Sequence, residues 1–354
     1  MNVSRYVASA DDGKEILRIL ESSSAKGIIE LLYTRRPDAY ESYMKDFGES
    51  RVFVSKKEGR TVGCCAELVR EVYLGGERAR SAYVCGLKKD ADYDGSVGFG
   101  AGFIRSLQRD DIDHYYCSVI SDNKYAQMIF ERSKRIISIK PFAEYRTYII
   151  NPGLRFKHRP CALSFRRANE SDVPALLEFL NEEGKKKDLF PVISSFDDFH
   201  ALKYSDFYLL TEGSHIVAAA SLWVQTDYKQ YVVKKYRGIM KLARIVNPLM
   251  RALGYIRLPK ENDPLRFPML SFFLCRNDDP EYYRVFFGEI KKEVQKEHEM
   301  LVIGLPRNHF ASLMLDKLPS VHFDTRLYEI SFPWSDRKLR KANPDNIYPE
   351  CGLL

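Results

Sequence analysis

The sequence has no run of apolar residues near the ~18 that a helix needs to cross a bilayer. Its first residues, Met1–Arg5, also lack the hydrophobic core of a secretory signal. We therefore expect a cytoplasmic protein without a transmembrane helix.

Patterns of metal ligands are missing as well. The 7 cysteines are scattered without a C-x-x-C pair, and the 7 histidines form no H-x-x-x-H or H-E-x-x-H pair. Zinc sites in proteins use such close spacings, and disulfides are rare in reducing compartments. We expect reduced, mostly buried thiols and no structural or catalytic metal.

The chain is long enough for two domains. Its 354 residues are 45% hydrophobic and 29% charged, which is typical of globular proteins, and single cores stop growing near this length. Pro and Gly cluster between about residues 152 and 160, which favours a linker there. The predicted domains are 1–152 and 160–335, followed by a tail, 336–354.

The two halves repeat one pattern. A strand and an Asp-capped helix come first, and a hairpin that turns at Glu-Gly follows, at Glu58–Gly59 in the first half and at Glu212–Gly213 in the second. A Gly75–Gly76 turn then predicts a further hairpin between 64–74 and 79–87.

Basic residues concentrate in one segment, 229–257, which holds eight of them and no acidic residue: Lys229, Lys234, Lys235, Arg237, Lys241, Arg244, Arg251 and Arg257. Apolar residues recur at helical spacing from Val232 to Leu253, which predicts a basic amphipathic helix broken near Asn247–Pro248. Such a helix suits an anionic membrane surface, an acidic acceptor or a cover over an active site. It also suits an ordinary helix with a solvated basic face.

A glycine-rich turn, Asp92–Gly102, lies between an apolar run at 82–87 and a helix-like run at 103–108. Glycines at the start of a helix let the backbone approach a ligand, and the free N–H groups of the first helical turn bind anions. The turn therefore predicts a cradle for a diphosphate. It does not fit a dinucleotide G-x-G-x-x-G turn, because Phe103 occupies the third glycine position.

The order strand, capped helix, hairpin, strand, glycine turn, helix, strand and Asn-x-x-Ala resembles the GNAT superfamily of acyl-CoA N-acyltransferases, in two tandem copies. The resemblance implies an α/β (α+β) fold, with each domain a mixed, largely antiparallel sheet flanked by helices. The family's pyrophosphate motif, Gln/Arg-x-x-Gly-x-Gly/Ala, falls on Gly95–Gly100, where Gly95 replaces the Gln or Arg. The family's Asn-x-x-Ala falls on Asn123 and Ala126, and Phe130 stands where a tyrosine acid is common.

The resemblance implies acetyl-CoA, or a related acyl-CoA, as co-substrate and an amine as acceptor. The pantetheine arm of the acyl-CoA would pair with backbone around Cys85, Gly86, Leu87 and Lys88, and Gly86 would suit a bulge there. The remaining cofactor contacts implied by the resemblance are the cradle residues Gly95, Ser96, Val97, Gly98, Phe99 and Gly100, together with Asn123 and Phe130. The neutral amine would attack the thioester directly, with a backbone N–H near Leu87 stabilising the oxyanion.

The proton-handling groups are less marked. Glu67 is the first candidate base, with Glu71 behind it, and Tyr116 or Tyr125 is the candidate acid, with bulk water as the alternative. The second half has Cys275–Tyr283 where the first has its glycine turn, so we expect a degenerate C-terminal domain that shapes the acceptor site.

Two other functions stay open. A non-catalytic acyl-CoA sensor would account for Phe130 in place of tyrosine, and a tRNA-dependent aminoacyl transferase would stack two similar domains. The expected partners are an amine-bearing small molecule or peptide and an anionic surface at 229–257, with no specific nucleic acid.

Overall fold

The computed structural model describes residues 3–25, 27–95, 106–132, 137–154, 156, 162–252 and 256–354. In the first half the described strands are β1 (Ser4–Val7), β2 (Ile29–Thr34), β3 (Glu49–Lys57), β4 (Arg60–Leu74), β5 (Glu77–Lys89), β6 (His114–Ile120) and β7 (Ser138–Ile150). The described helices of this half are α1 (Gly13–Glu21), α2 (Ala39–Met44) and α3 (Lys124–Arg132).

The second half contains strands β8 (Ser164–Arg167), β9 (Phe207–Glu212), β10 (His215–Trp223), β11 (Gln230–Tyr236), β12 (Met269–Cys275), β13 (Leu301–Pro306) and β14 (Ser320–Ser331). Its described helices are α4 (Val173–Gly184), α5 (Ile239–Ala252), α6 (Pro280–Glu297) and α7 (Phe310–Leu315). Helices α1 and α4 begin directly after Asp12 and Asp172. Acidic residues at this end stabilise a helix, because its dipole is positive there.

The predicted hairpins are present. Strands β3 and β4 pair around Glu58–Gly59, and β9 and β10 pair around the second Glu-Gly turn. Strands β4 and β5 pair around Gly75 and Gly76, whose φ angles are 57° and 78°. Glycine is favoured at both positions because both residues of this two-residue hairpin turn have positive φ angles.

One sheet unites both halves. Its strand order is β1-β3-β4-β5-β6-β14-β7-β13-β12-β10-β9-β8, so the last strand of each half lies beside the other half's strands. Strand β14 pairs with β6 over Thr325–Glu329, and β7 pairs with β13 over Tyr145–Ile150. The two halves therefore complete each other's sheet by exchanging a strand.

The sheet is covered on both faces, which explains the apolar runs in β4. Cys65 and Val69 of β4 pack into a cluster with Leu107 and Ile112, whereas Ala66 and Leu68 pack on the other face against α1 and α2. Because successive side chains of a strand point to opposite faces, both sets are buried.

The basic segment differs from its prediction. Residues 230–236 form strand β11, which pairs with β2 of the first half, and the helix begins only at Ile239. The neighbouring Val232 and Val233 favour a strand, and both are buried there. The predicted break near Pro248 is also absent, since α5 continues through it to Ala252.

Candidate active site

Strands β5 and β6 fork at the middle of the sheet. They pair in parallel only at Ser81–His114, Ala82–Tyr115 and Tyr83–Tyr116. Beyond the fork, β6 stays paired with β14 on its other side, whereas residues 84–89 of β5 pair with β4 alone among the described strands. The outer edge of β5 therefore presents backbone groups to the gap between β5 and β6, which we call the cleft, as an exposed sheet edge does.

Two hydroxyl groups span the fork. The Tyr83 Oη and Ser118 Oγ atoms are 2.5 Å apart, and the Tyr83 and Tyr116 ring centroids are 4.9 Å apart. Burial raises the pKa of Tyr83 and of Tyr116 above the ordinary value for tyrosine. Both phenols therefore stay protonated at neutral pH.

Strand β5 carries a bulge directly after the fork. Cys85 pairs with Ala66 and Lys88 with Cys64, so Gly86 and Leu87 together oppose one residue of β4. Gly86 has φ 62°, and a Cβ built there would lie 2.2 Å from the Tyr43 Oη atom. The bulge predicted at Gly86 is present, and both its backbone angle and its surroundings require glycine.

Of the two side chains that follow Gly86, one is exposed to solvent and the other contacts the interior. The Leu87 side chain is 52% exposed. The Lys88 ammonium instead donates to the carbonyls of Leu20 and Ser23 at the end of α1, and burial lowers its pKa. Lys88 thus anchors α1 to β5, which leaves only its backbone for a ligand.

Glu67 lies on the sheet face opposite Tyr116. It is fully buried, with its Oε2 atom 2.6 Å from the Arg51 guanidinium and 4.0 Å from that of Arg109. Its Oε1 atom has no hydrogen-bond partner among the described residues. Burial raises the pKa of Glu67 although Arg51 opposes the rise. The two sequence-predicted catalytic residues are therefore separated by the sheet.

The other candidates for proton handling are less enclosed or not described. Glu71 is exposed and pairs with Arg78 at 3.7 Å. The Tyr125 side chain lies outside the described residues. The thiols of Cys85 and Cys117 are protonated at neutral pH, because burial raises the pKa of Cys85 to about 11 and that of Cys117 to about 12.

Of the glycine turn, only its first part is described. The Tyr93 ring lies against Gly95, where a Cβ would be 2.3 Å from the tyrosine Oη atom. The cradle residues Ser96, Val97, Gly98, Phe99 and Gly100 lie outside the described residues.

The Asn-x-x-Ala motif begins helix α3. Asn123 Oδ1 accepts a hydrogen bond from the Ala126 N–H at 3.1 Å, as in a helix N-cap. Phe130 of the same helix packs edge-on against Tyr328 of β14, at 5.1 Å between ring centroids. The Phe130 ring thus contacts the exchanged strand.

The second half repeats the bulge and fills it from its own chain. In β12, Phe272 and Phe273 together oppose Ala220 of β10, and Phe272 has φ 55°. The Phe272 N–H donates to Glu350 Oε2 at 2.7 Å, and the Tyr348 hydroxyl donates to the Phe273 carbonyl at 2.8 Å. The bulge N–H of the second half is therefore occupied by a carboxylate.

A buried charge cluster lies where the halves meet, and the sequence analysis missed it. Asp46 lies between the guanidinium of Arg35, at 2.8 Å, and the ammonium of Lys229, at 2.6 Å. Burial would raise the pKa of Asp46, but these two cations hold it below its ordinary value. Arg70 donates to the Leu353 carbonyl at 3.0 Å, while its Nε and Nη2 atoms have no partner among the described residues.

No sequence signal marks this cluster, which we call the Asp46 cluster (Arg35, Asp46, Arg70 and Lys229). Successive members are 11, 24 and 159 residues apart and share no helix or strand, so no local periodicity links them. It lies on the Tyr116 face of the sheet, because Arg70 follows Ala66 and Leu68 at alternate positions of β4 and those two residues pack in one cluster with Tyr116.

No protein-family model and no curated protein sequence matches the chain. Solved structures do resemble its fold. Saccharomyces cerevisiae N-myristoyltransferase with bound myristoyl-CoA is 10% identical, and the match covers 98% of this chain and 85% of the yeast chain with a TM-score of 0.59. A GCN5-related N-acetyltransferase from Anabaena variabilis is 12% identical over 94% of this chain and 73% of its own, with a TM-score of 0.54.

A third structure, a conserved protein of unknown function from Enterococcus faecalis, is 10% identical over 94% of this chain and 73% of its own, with a TM-score of 0.52. The fold resemblance inferred from the sequence is thus confirmed: the chain has two GNAT-like halves, built on a mostly antiparallel sheet flanked by helices.

Two further kinds of feature are absent from the described part of the chain. None of its helices is both long and apolar enough to cross a membrane. Nor do three or more His, Cys, Asp or Glu side chains gather there as metal ligands would.

Proposed function

We propose that this protein is an acyl-CoA-dependent N-acyltransferase that binds its acyl donor in the N-terminal half and transfers the acyl group to an amine. The observation that carries the proposal is the fork between β5 and β6, with the Gly86 bulge on its open edge. Fold similarity to acyltransferases, one of them solved with myristoyl-CoA, supports it.

The open edge of β5 suits the pantetheine arm. Backbone donors and acceptors of residues 84–89 face the cleft without a neighbouring described strand, so an extended ligand can pair with them as an added strand would. The diphosphate would then bind the N–H groups of Gly95–Gly100, and Asn123 would contact the pantetheine arm. Acetyl-CoA is the proposed donor.

The bulge gives the reaction its electrostatic support. A neutral amine attacks the thioester carbonyl, and the oxygen acquires negative charge. A backbone N–H near Leu87, turned toward the cleft by the bulge, would donate to that oxygen. The C–S bond then breaks, and the amine loses a proton while the CoA thiolate gains one.

Proton transfer remains assigned to Glu67 and Tyr116. The raised pKa makes the Glu67 carboxylate a stronger base than an ordinary glutamate, and the protonated phenol of Tyr116 suits an acid. Because the two lie on opposite sheet faces, the incoming amine and the leaving thiolate would exchange protons on opposite sides of the fork.

The C-terminal half is proposed to shape the acceptor site without catalysing transfer. Its equivalent bulge N–H is taken by Glu350, so no donor remains at that point for an oxyanion. An amine-bearing small molecule or peptide would enter beside the first half's fork.

A matched pair of glycine substitutions tests the proposal. Gly86→Ala adds a Cβ against Tyr43 at a φ of 62°, whereas Gly59→Ala adds one at a φ of 80° with no atom within 4 Å. Both changes carry the cost of a left-handed alanine, about 1 kcal/mol, but only the first disturbs the bulge.

Acyl-CoA binding is measured by calorimetry, and transfer by thiol release with amine panels and with acyl-CoAs of increasing chain length. We expect Gly86→Ala to lose binding and turnover while Gly59→Ala retains both. Binding without release to any amine would identify a sensor and refute the enzyme proposal. Unchanged affinity in Gly86→Ala would show that the ligand does not use this edge.

A further inference from the structure

Helix α5 turns a row of large aliphatic side chains toward solvent. The row consists of Ile239, Leu242, Ile245, Val246 and Leu249, which are exposed by 75%, 62%, 70%, 43% and 72%. Successive helix residues are about 100° apart, so these five occupy roughly one third of the circumference. A soluble helix ordinarily turns such a stripe into the core.

The opposite side of α5 fixes this orientation. Asn247 is buried, and its side chain accepts from the Leu258 N–H and donates to the Ile256 carbonyl, both at 2.9 Å. Met240 packs against the cluster that contains Tyr236, and the Arg244 guanidinium lies 5.6 Å from the Tyr236 ring centroid. The helix is therefore docked with its apolar row outward.

Basic residues lie beside the row and on the opposite side of the helix. Lys235 and Lys241 are exposed and form no ion pair with any described carboxylate, whereas Arg237 pairs with Glu30 at 2.5 Å. Beneath the helix lies an open cavity of about 620 Å³ whose lining includes the basic residues Arg244, Arg251, Arg257 and Lys260. Glu299 and Asp263 also line it, and Glu299 pairs with Arg251.

We propose that α5 docks on an anionic lipid bilayer, with its aliphatic row in the acyl-chain boundary and its cations at the headgroups. Apolar residues on one face and basic residues beside them are the features of interfacial helices, which enter a bilayer by roughly 5–10 Å. With 14 residues, α5 is too short to span a bilayer, so it lies in the interface plane.

Charge selects this occupant over a second copy of the chain. Pairing two copies through α5 would bring together the exposed cations of each copy that have no described carboxylate partner, Lys235 and Lys241. Anionic headgroups neutralise those charges, and each basic residue near such a surface strengthens binding by about 1 kcal/mol, or about fivefold. The proposal does not depend on the acyltransferase reaction.

Co-sedimentation with sucrose-loaded vesicles tests the docking. The vesicles contain phosphatidylcholine alone or an equal mixture of phosphatidylcholine and phosphatidylglycerol. The apolar variant is Ile245→Gln with Leu249→Gln, and the charge variant is Lys235→Glu with Lys241→Glu. The matched control is Leu313→Gln, which changes a 52% exposed leucine on α7.

We expect the natural protein and Leu313→Gln to bind the mixed vesicles equally. The apolar variant should bind them at least tenfold more weakly, because it loses the burial of two aliphatic side chains. The charge variant should bind more than tenfold more weakly, and high salt should release the natural protein. Circular dichroism checks that each variant stays folded.

Three results would overturn the proposal. One is equal sedimentation of the apolar variant and the natural protein. Another is equal binding to both vesicle types, or to neither. The third is a dimer in light scattering without lipid that the apolar variant dissociates, since α5 would then be a contact between copies of the chain.

Discussion

Replacing Asp46 with asparagine removes the carboxylate from the Asp46 cluster. The Asp46 side chain is 2% exposed and contacts the Arg35 guanidinium at 2.8 Å and the Lys229 ammonium at 2.6 Å. After the substitution, three buried cations from both halves would remain close together. The variant therefore measures how strongly this cluster holds the halves in place.

The expected cost is about 4 kcal/mol. Breaking a buried ion pair by removing one partner typically costs about 3–5 kcal/mol, because the remaining charge stays desolvated. Whole domains are stable by only about 5–15 kcal/mol, so the loss is a large part of the free energy of unfolding. Deprotonation of Lys229 offers partial relief, since burial already lowers its pKa from 10.5.

That relief gives the variant a pH signature. With a pKa lowered in the folded state, Lys229 binds fewer protons folded than unfolded between its folded pKa and 10.5. Stability of the variant should therefore rise with pH in that window, and its deficit should shrink from pH 7 to pH 10. The natural protein, in which Asp46 holds the proton on Lys229, should show a smaller rise.

Urea unfolding followed by circular dichroism measures both effects. The free energies are comparable where the proteins have the same denaturant slope. The control is Glu144→Gln, which breaks a pair with Arg326 at 3.2 Å whose side chains are 57% and 36% exposed. Exposed pairs contribute about 0–1 kcal/mol. If Asp46→Asn costs no more than this control, the buried cluster does not stabilise the fold as argued.

Two further predictions concern buried carboxyl groups. Burial raises the pKa of Glu350 from 4.5 to about 7, so the folded state keeps this proton to a higher pH than the unfolded state does. The free energy of unfolding of the natural protein should therefore fall by about 3 kcal/mol between pH 4.5 and 7. Glu350→Gln should flatten that fall in urea titrations, and parallel pH profiles would contradict the assignment. Arg51→Met should raise the pKa of Glu67 further, because it removes the opposing cation. If Glu67 is the base, the acidic limb of the pH–rate profile moves to higher pH; an unmoved limb would exclude it.

The sequence by itself determined the features that depend on local geometry. The hairpin turns at Glu58–Gly59 and Gly75–Gly76 and the bulge at Gly86 follow from glycine's access to positive φ, which needs no knowledge of distant residues. The repeat of these signals determined that the fold has two similar halves. The aspartates at the starts of α1 and α4 likewise interact only with the nearby helix N-terminus.

Only the tertiary structure decided what depends on distant contacts. The exchange of β7 and β14 rests on strand pairing between residues such as Tyr328 and Cys117, far apart in the chain. The meeting of Asp46 with Lys229 and of Glu350 with Phe272 has the same origin. Helix α5 shows the physical limit most clearly: a periodic pattern defines an apolar face, but the surrounding fold decides whether that face turns to the core or to solvent.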